Sequence, residues 1–129
     1  MKIIENSKLL RVWYPFAFAF GGIKNLAGVT YNSNIYLWKS ISDYPERIIW
    51  HEVCHAIQQQ IHGMPKYIYY HCKDWLQNKK NGMSNYDAYR NIRWEREAYR
   101  LESKELLIAK YPEFKEQIDG IENYLILQE

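Results

Sequence analysis

The sequence has few cysteines, little net charge and no apolar run long enough to span a bilayer. Two cysteines among 129 residues do not make a disulfide framework, which favours a reducing compartment. A formal charge of +2 is too small to indicate binding to nucleic acid or to an anionic membrane. A spanning helix needs about 20 apolar residues, and no segment provides them. We therefore expect a cytoplasmic protein whose partners include neither nucleic acid nor membrane.

One apolar segment, Val12–Phe20, invites comparison with a signal peptide because Ala17-Phe18-Ala19 mimics a small-residue cleavage site. The segment is rich in aromatic residues and is broken by Pro15, and polar residues with an acidic one, Glu5, precede it. These features favour a β-strand that enters the core over secretion. Two strands are accordingly predicted here, with a turn after them: Leu9–Tyr14, Phe16–Phe20 and Gly21-Gly22.

The remaining sequence predicts one hairpin followed by helices. Val29–Tyr31 and Ile35–Trp38 flank an Asn-rich loop, which is typical of a β-hairpin. Four helical segments follow, described by their ends: Tyr44–His62 with Asp43 as N-cap, Pro65 to Asn81, Ser84 to about Lys110, and Pro112 onward. In the second helix an apolar stripe is formed by Ile68, Tyr69, Cys72, Trp75 and Leu76.

The chain length, 129 residues, fits a single domain with a real core, and no repeat or low-complexity tract divides it. The predicted fold class is α+β: a small N-terminal sheet, antiparallel or mixed, packed on a bundle of about four helices.

The pentapeptide His51-Glu52-Val53-Cys54-His55 is an HExxH motif inside the first predicted helix. Residues four apart on a helix lie on one side, about 6 Å apart along its axis, so both imidazoles can bind one tetrahedral zinc ion. Glu52 is then placed to take a proton from a zinc-activated water molecule. Cys54 points away from both histidines, which indicates a small buried residue.

Two histidines leave a catalytic zinc site one protein ligand short. His62 lies seven residues after His55, about 10.5 Å further along a straight helix, which is too far to share the ion. His71 lies near the apolar stripe of the next helix and suits a structural role. Both histidines are weak candidates for the third ligand.

The segment Asn91–Tyr99, together with HEVCHAIQQ, resembles the gluzincin branch of the zincin metallopeptidases. In that group a downstream helix carries a ligand Glu in an ExxA pattern, which Glu95 and Ala98 match. The likeness extends to small HExxH proteins of bacteria and phages and covers about Val29 to Glu102. It implies a zincin-like fold, Zn²⁺ as cofactor and Glu95 as third ligand.

Glu97 is the alternative to Glu95 as the third ligand. The two cannot both face the metal, because side chains two residues apart point to opposite sides of a helix. Glu95 shares its side with Ile92 and Ala98, a mostly inward stripe, whereas Glu97 lies among arginines and is expected on a solvated face. Helix geometry therefore favours Glu95. The metzincin branch is excluded, because Gln58 and Ile61 stand where it requires glycine and histidine.

The expected function is zinc-dependent hydrolysis of a peptide or protein substrate, with Glu52 as general base. Gluzincins often place Asp four residues after the ligand Glu to orient a zinc histidine; here that residue is Tyr99, whose hydroxyl could orient the histidine or assist the oxyanion. Tyr86 and Tyr89 are alternatives for the oxyanion. Ile35–Trp38 is a candidate edge strand for substrate, with ordinary sheet pairing equally open.

An alternative from another class is a zinc-stabilised binding or structural module with little proteolysis, belonging to a phage or mobile-element assembly. In that case the protein would be associated with a virion. Gln58 and Gln59, three and four residues after His55, could orient the site or belong to a solvated helix end.

Overall fold

The computed structural model describes residues 1–8 and 28–128. The strands predicted at Leu9–Tyr14 and Phe16–Phe20, and the turn at Gly21-Gly22, lie outside the described residues. The described chain is α+β, with a three-stranded mixed sheet and six α-helices. Among the described helices, none combines the length and apolarity required to cross a membrane.

The sheet contains β1 (Ile3–Ile4), β2 (Gly28–Tyr31) and β3 (Asn34–Leu37) in the order β1-β3-β2. The predicted hairpin is confirmed: β2 and β3 are antiparallel, and Asn32 and Ser33 both have positive φ, as a two-residue type I′ turn requires. β1 pairs with β3 in parallel. Because β3 is the central strand, Ile35–Trp38 is not an edge, and the prediction of a substrate-binding edge there is wrong.

The six helices are α1 (Glu46–His62), α2 (Met64–Lys80), α3 (Asn85–Arg90), α4 (Arg93–Arg100), α5 (Lys104–Lys110) and α6 (Lys115–Leu127). Short 3₁₀ turns precede α1 at Ile41–Asp43 and α6 at Pro112–Phe114. Four helices were expected; the difference arises because the segment from Ser84 to Lys110 is three short helices.

Helix α1 lies at the centre and packs against β2, β3, α2, α4 and α5. Its N-cap is Pro45, with no side-chain cap, so the prediction of Asp43 in that role is wrong; Asp43 ends the preceding 3₁₀ turn. Gly63 ends α1 as predicted and also precedes α2. The core around α1 is apolar and includes residues from the sheet, α4, α5 and α6: Ile35, Leu37, Ile49, Val53, Ile57, Ala98, Leu107, Ile118 and Ile121.

Helix α2 packs through a face other than its apolar stripe. Ile68, Tyr69 and Leu76 are exposed, and α2 has no buried residue. Its contacts are aromatic and polar instead: Tyr67 stacks on Trp94 of α4, with ring centroids 5.5 Å apart, and Trp94 Nε1 donates to the Tyr67 carbonyl oxygen at 2.9 Å. These contacts orient α2 against α4 and leave the predicted stripe at the surface.

Candidate metal centre

The HExxH residues lie on the inner face of α1. His51, Glu52 and His55 are 7%, 9% and 5% exposed, which is unusual for polar side chains on a helix. Cys54 is fully buried behind them, as expected, with Sγ 3.8 Å from a Glu97 oxygen. The helix therefore presents two imidazoles and one carboxylate to the interior rather than to solvent.

Helix α4 brings Glu95 to the same place. Its N-terminus is fixed from outside, because Asp74 of α2 accepts from the Arg93 backbone N–H at 3.0 Å and from its guanidinium at 2.8 and 2.9 Å. Ile92 and Ala98 are fully buried on the side that carries Glu95, and Glu95 itself is 3% exposed. The inward stripe expected for this segment is thus confirmed at Ile92, Glu95 and Ala98.

The three side chains form a compact triangle of donor atoms. His51 Nε2 and His55 Nε2 are 3.2 Å apart, and Glu95 Oε2 lies 3.3 Å from the first and 3.1 Å from the second. Tetrahedral zinc, with bonds of 2.0–2.2 Å to nitrogen and oxygen, separates its ligand atoms by about 3.3 Å. His51, His55 and Glu95 are therefore close enough to bind a metal ion, and their spacing fits one.

The outer nitrogens of both imidazoles are hydrogen-bonded. His51 Nδ1–H donates to Glu102 Oε2 at 3.1 Å, and His55 Nδ1–H donates to Gln58 Oε1 at 2.9 Å. With the proton on Nδ1, the lone pair of Nε2 points toward the centre, as a metal ligand requires. Of the alternatives open for Gln58, the structure supports the orienting one.

The charges within the triangle stabilise one another. Burial, the largest single influence, would lower the pKa of His55, but the charge and hydrogen bond of Glu95, together with Glu52 and Gln58, raise this pKa to about 9. Burial would raise the pKa of Glu95, yet the two imidazoles hold it well below its usual range. Without a metal ion, a proton on His55 Nε2 is donated to Glu95 Oε1 at 2.7 Å. A cation at the centre is thus favoured electrostatically.

Two tyrosines support the centre and were not assigned this role from the sequence. Tyr89 donates its hydroxyl to Glu95 Oε1 at 2.6 Å, and the hydroxyl oxygen of Tyr67 lies 3.3 Å from His55 Nδ1. Burial and the nearby Glu95 carboxylate raise the pKa of both well above the usual value, so both stay neutral. No periodicity singles them out, since α2 and α3 are each rich in tyrosine.

Glu52 is held by the hairpin. The Thr30 hydroxyl of β2 donates to Glu52 Oε2 at 2.7 Å, while no hydrogen bond to Glu52 Oε1 forms within the described part of the chain. The hairpin is tied to α1 by Gln59, whose Oε1 accepts from Ser33 N–H at 2.8 Å and whose Nε2 donates to the Thr30 carbonyl at 2.7 Å. One oxygen of the expected general base is therefore oriented, and the other can accept a proton.

The remaining predicted residues lie near the centre but outside the triangle. Tyr99 packs its ring against His51, with centroids 4.6 Å apart, and the Arg90 guanidinium carbon lies 4.0 Å from the centroid of the Tyr99 ring. The acceptor that orients His51 is Glu102, seven residues after Glu95. His62 packs on Trp94 and His71 lies between tyrosine rings, so neither joins the triangle.

Glu97 is not on a solvated face, and that expectation is wrong. Its carboxylate accepts from Gln58 Nε2 at 3.1 Å, from the Tyr111 hydroxyl at 2.6 Å and from Lys110. Burial would raise its pKa, but these three donors lower it. Glu97 therefore lies against Gln58 and Cys54 of α1, outside the triangle.

Fold and site together define an α+β protein with a buried cluster of two histidines and one glutamate on and beside an HExxH helix. In comparisons with protein-family models, with curated proteins and with solved structures, nothing matches this chain.

Proposed function

We propose that this protein is a zinc-dependent peptidase in which His51, His55 and Glu95 hold Zn²⁺ and Glu52 is the general base. The observation that carries the proposal is the triangle of two Nε2 atoms and one carboxylate oxygen, with edges of 3.1 to 3.3 Å. The resemblance of the two motifs to gluzincins agrees with this assignment.

The donor set favours a transition-metal ion over magnesium and calcium, and the HExxH spacing on a helix favours zinc among the transition metals. Imidazole nitrogen suits zinc, whereas magnesium and calcium prefer oxygen ligands. Three protein ligands leave the fourth position of a tetrahedral ion open, as in catalytic zinc sites. A zinc ion held there would act as a Lewis acid and would lower the pKa of bound water toward about 7.

The side chains then have distinct roles in hydrolysis. Glu52 takes one proton from the attacking water and returns it to the nitrogen of the leaving amine as the peptide C–N bond breaks. Thr30 fixes the Glu52 carboxylate through its 2.7 Å hydrogen bond. Burial of the site strengthens these charge interactions.

Tyr99 is the tyrosine that we assign to the developing oxyanion. Tyr89 already donates to Glu95, and Tyr86 interacts with Arg90. The Tyr99 hydroxyl forms no hydrogen bond with any other described residue, while its ring lies against His51. Burial, followed by the Glu95 carboxylate, raises the pKa of Tyr99, which keeps its hydroxyl a proton donor.

Substitution of Glu52 by Gln tests the proposal. Zinc-loaded wild type should cleave a fluorescent peptide library, whereas Glu52→Gln should lose cleavage and keep one zinc per chain in elemental analysis. Cleavage by the variant at the wild-type rate would refute the assignment of Glu52. Tyr99→Phe should keep zinc and lower kcat, and an unchanged kcat would remove Tyr99 from the mechanism.

A second candidate function is a zinc-stabilised binding or structural module, as in a phage or mobile-element assembly. One observation favours it: every ligand side chain is more than nine-tenths buried, and the ion would join α1 to α4 as a structural zinc does. This alternative predicts zinc in the purified wild type, a lower Tm after chelation, and no cleavage of any peptide in the library.

A further inference from the structure

The amide of Gln58 lies between the metal centre and a second polar cluster, formed by Glu97, Lys110 and Tyr111. Its Nε2 donates to the Trp94 carbonyl oxygen at 3.0 Å and to Glu97 Oε1 at 3.1 Å, and its Oε1 accepts from His55 Nδ1–H at 2.9 Å. Gln58 is 1% exposed, so water does not compete for these atoms. Both amide protons are thus used on the side away from His55.

Glu97 is itself held in place from the C-terminal part of the chain. The Tyr111 hydroxyl donates to Glu97 Oε1 at 2.6 Å, and Lys110 pairs with Oε2. The Glu97 side chain is only 15% exposed. Lys110, the last residue of α5, and Tyr111, which follows it, therefore direct the acceptor oxygen of Glu97 toward Gln58.

We propose that Glu97 is a positioning residue for the metal centre: it fixes the direction of the Gln58 amide and, through it, the tautomer of His55. This inference rests on the proposed zinc site. It gives the second glutamate of the Glu95-Arg96-Glu97 segment a role distinct from that of a ligand.

The direction of the amide matters because its two ends have opposite hydrogen-bonding character. In the observed direction the carbonyl end accepts from His55 Nδ1–H, so Nε2 keeps its lone pair for the metal. The reverse direction would aim an N–H at Nδ1 and favour the tautomer with the proton on Nε2, which cannot bind zinc. It would also place the amide oxygen against the Glu97 carboxylate, which is repulsive. The Trp94 carbonyl oxygen opposes the reverse direction as well, but Glu97, as the charged acceptor, contributes the larger share.

Two substitutions of Glu97 test the role. Glu97→Leu removes the acceptor and keeps the bulk, so the Kd for zinc, measured by competition with a chromophoric chelator, should rise about tenfold. Glu97→Gln retains one acceptor oxygen and should restore the Kd to within about threefold of wild type. Tyr111→Phe removes one donor to Glu97 and should have an intermediate effect.

Imidazole N–H signals in the NMR spectrum of the zinc-loaded protein distinguish positioning from packing. The His55 Nδ1–H should exchange with water faster in Glu97→Leu than in wild type. The His51 Nδ1–H, held by Glu102, is the internal reference and should not change. Ile118→Ala, in the core of α6, is the matched control: it should lower Tm and leave the Kd and both N–H signals unchanged.

Each outcome decides the inference. A wild-type Kd and an unchanged His55 signal in Glu97→Leu would overturn it while leaving the proposed zinc site intact. Wild type that binds no zinc would overturn the proposed function and this inference together. If Glu97→Leu does not fold, Tyr111→Phe with a wild-type Kd and an unchanged His55 signal overturns the inference.

Discussion

Zinc and a proton should compete for His55. In the metal-free protein burial lowers the pKa of His55, but Glu95, with smaller contributions from Glu52 and Gln58, raises it to about 9. Zinc needs the lone pair that this proton occupies, so binding must release the proton. We therefore expect zinc affinity to increase with pH below 9.

The magnitude follows from the pKa. At pH 7, two units below 9, about one molecule in a hundred has lost the proton, so the apparent zinc affinity is about a hundredfold below its value above pH 9. It should rise about tenfold for each pH unit between 6 and 8. The stability of the metal-free protein depends on pH in the opposite direction. Because the pKa of His55 is raised above 6.5, the stabilisation by its proton is complete below pH 6.5 and is lost as the pH rises through 9.

Two measurements check this prediction. NMR titration of the metal-free protein should give an imidazole pKa near 9 for His55, and chelator competition at pH 6, 7 and 8 should give the slope in affinity. Glu95→Gln is the control, since it leaves burial as the largest influence and should bring the pKa of His55 to 6.5 or lower. Titration of His55 at or below 6.5 in wild type would refute the reasoning.

Three further predictions concern single substitutions. Glu95→Gln should purify without zinc while Glu97→Gln retains it, and full zinc content in the first would remove Glu95 as a ligand. Thr30→Val should lower the cleavage rate about tenfold at unchanged zinc content, because Glu52 loses a charge-assisted hydrogen bond; an unchanged rate would show that this contact does not orient the base. Gly63→Ala should lower the free energy of unfolding in urea by about 1–3 kcal/mol, because φ +81 with ψ 152 is almost restricted to glycine. Gly120→Ala, inside α6 at a position with open space around it, should raise the free energy of unfolding by about 0.5–1 kcal/mol. Equal changes in the free energy of unfolding for the two glycine variants would contradict the argument.

Local sequence patterns predicted the parts of the site that depend on local geometry. The four-residue spacing of His51 and His55 and the inward stripe of Glu95 follow from the helical repeat, and the structure has both. The hairpin was likewise predicted from its Asn-rich loop, although Asn34 belongs to β3 rather than to the turn.

The helix breaks were not predicted, although only one of the contacts at them comes from a distant part of the chain. Asn91 closes α3 by donating from its side chain to the Asp87 carbonyl at 2.8 Å, and α4 restarts where Asp74 binds the Arg93 N–H. Asp74 is 19 residues away, so no local pattern identifies it as a cap. Ser103, whose hydroxyl accepts from Leu106 N–H at 3.2 Å, was a local signal for the second break.

The wrong prediction of a solvated face for Glu97 has a similar origin. Its neighbours in sequence are arginines, which predicts a solvated face, but its partners in space are Gln58, Lys110 and Tyr111. Two of these, Lys110 and Tyr111, follow it by 13 and 14 residues, and α5 lies between them and Glu97 or ends at them. Charge patterning alone cannot identify such a contact.

The two-residue turn at Asn32 and Ser33 has a chemical consequence. Side chains alternate between the faces of a strand, so an insertion that slid β2 by one position would replace Thr30 opposite Glu52 with Val29 or Tyr31. The sheet could still form, but neither replacement carries an aliphatic hydroxyl at the length that Glu52 requires. The length of this turn therefore helps determine whether the carboxylate on the neighbouring helix is oriented.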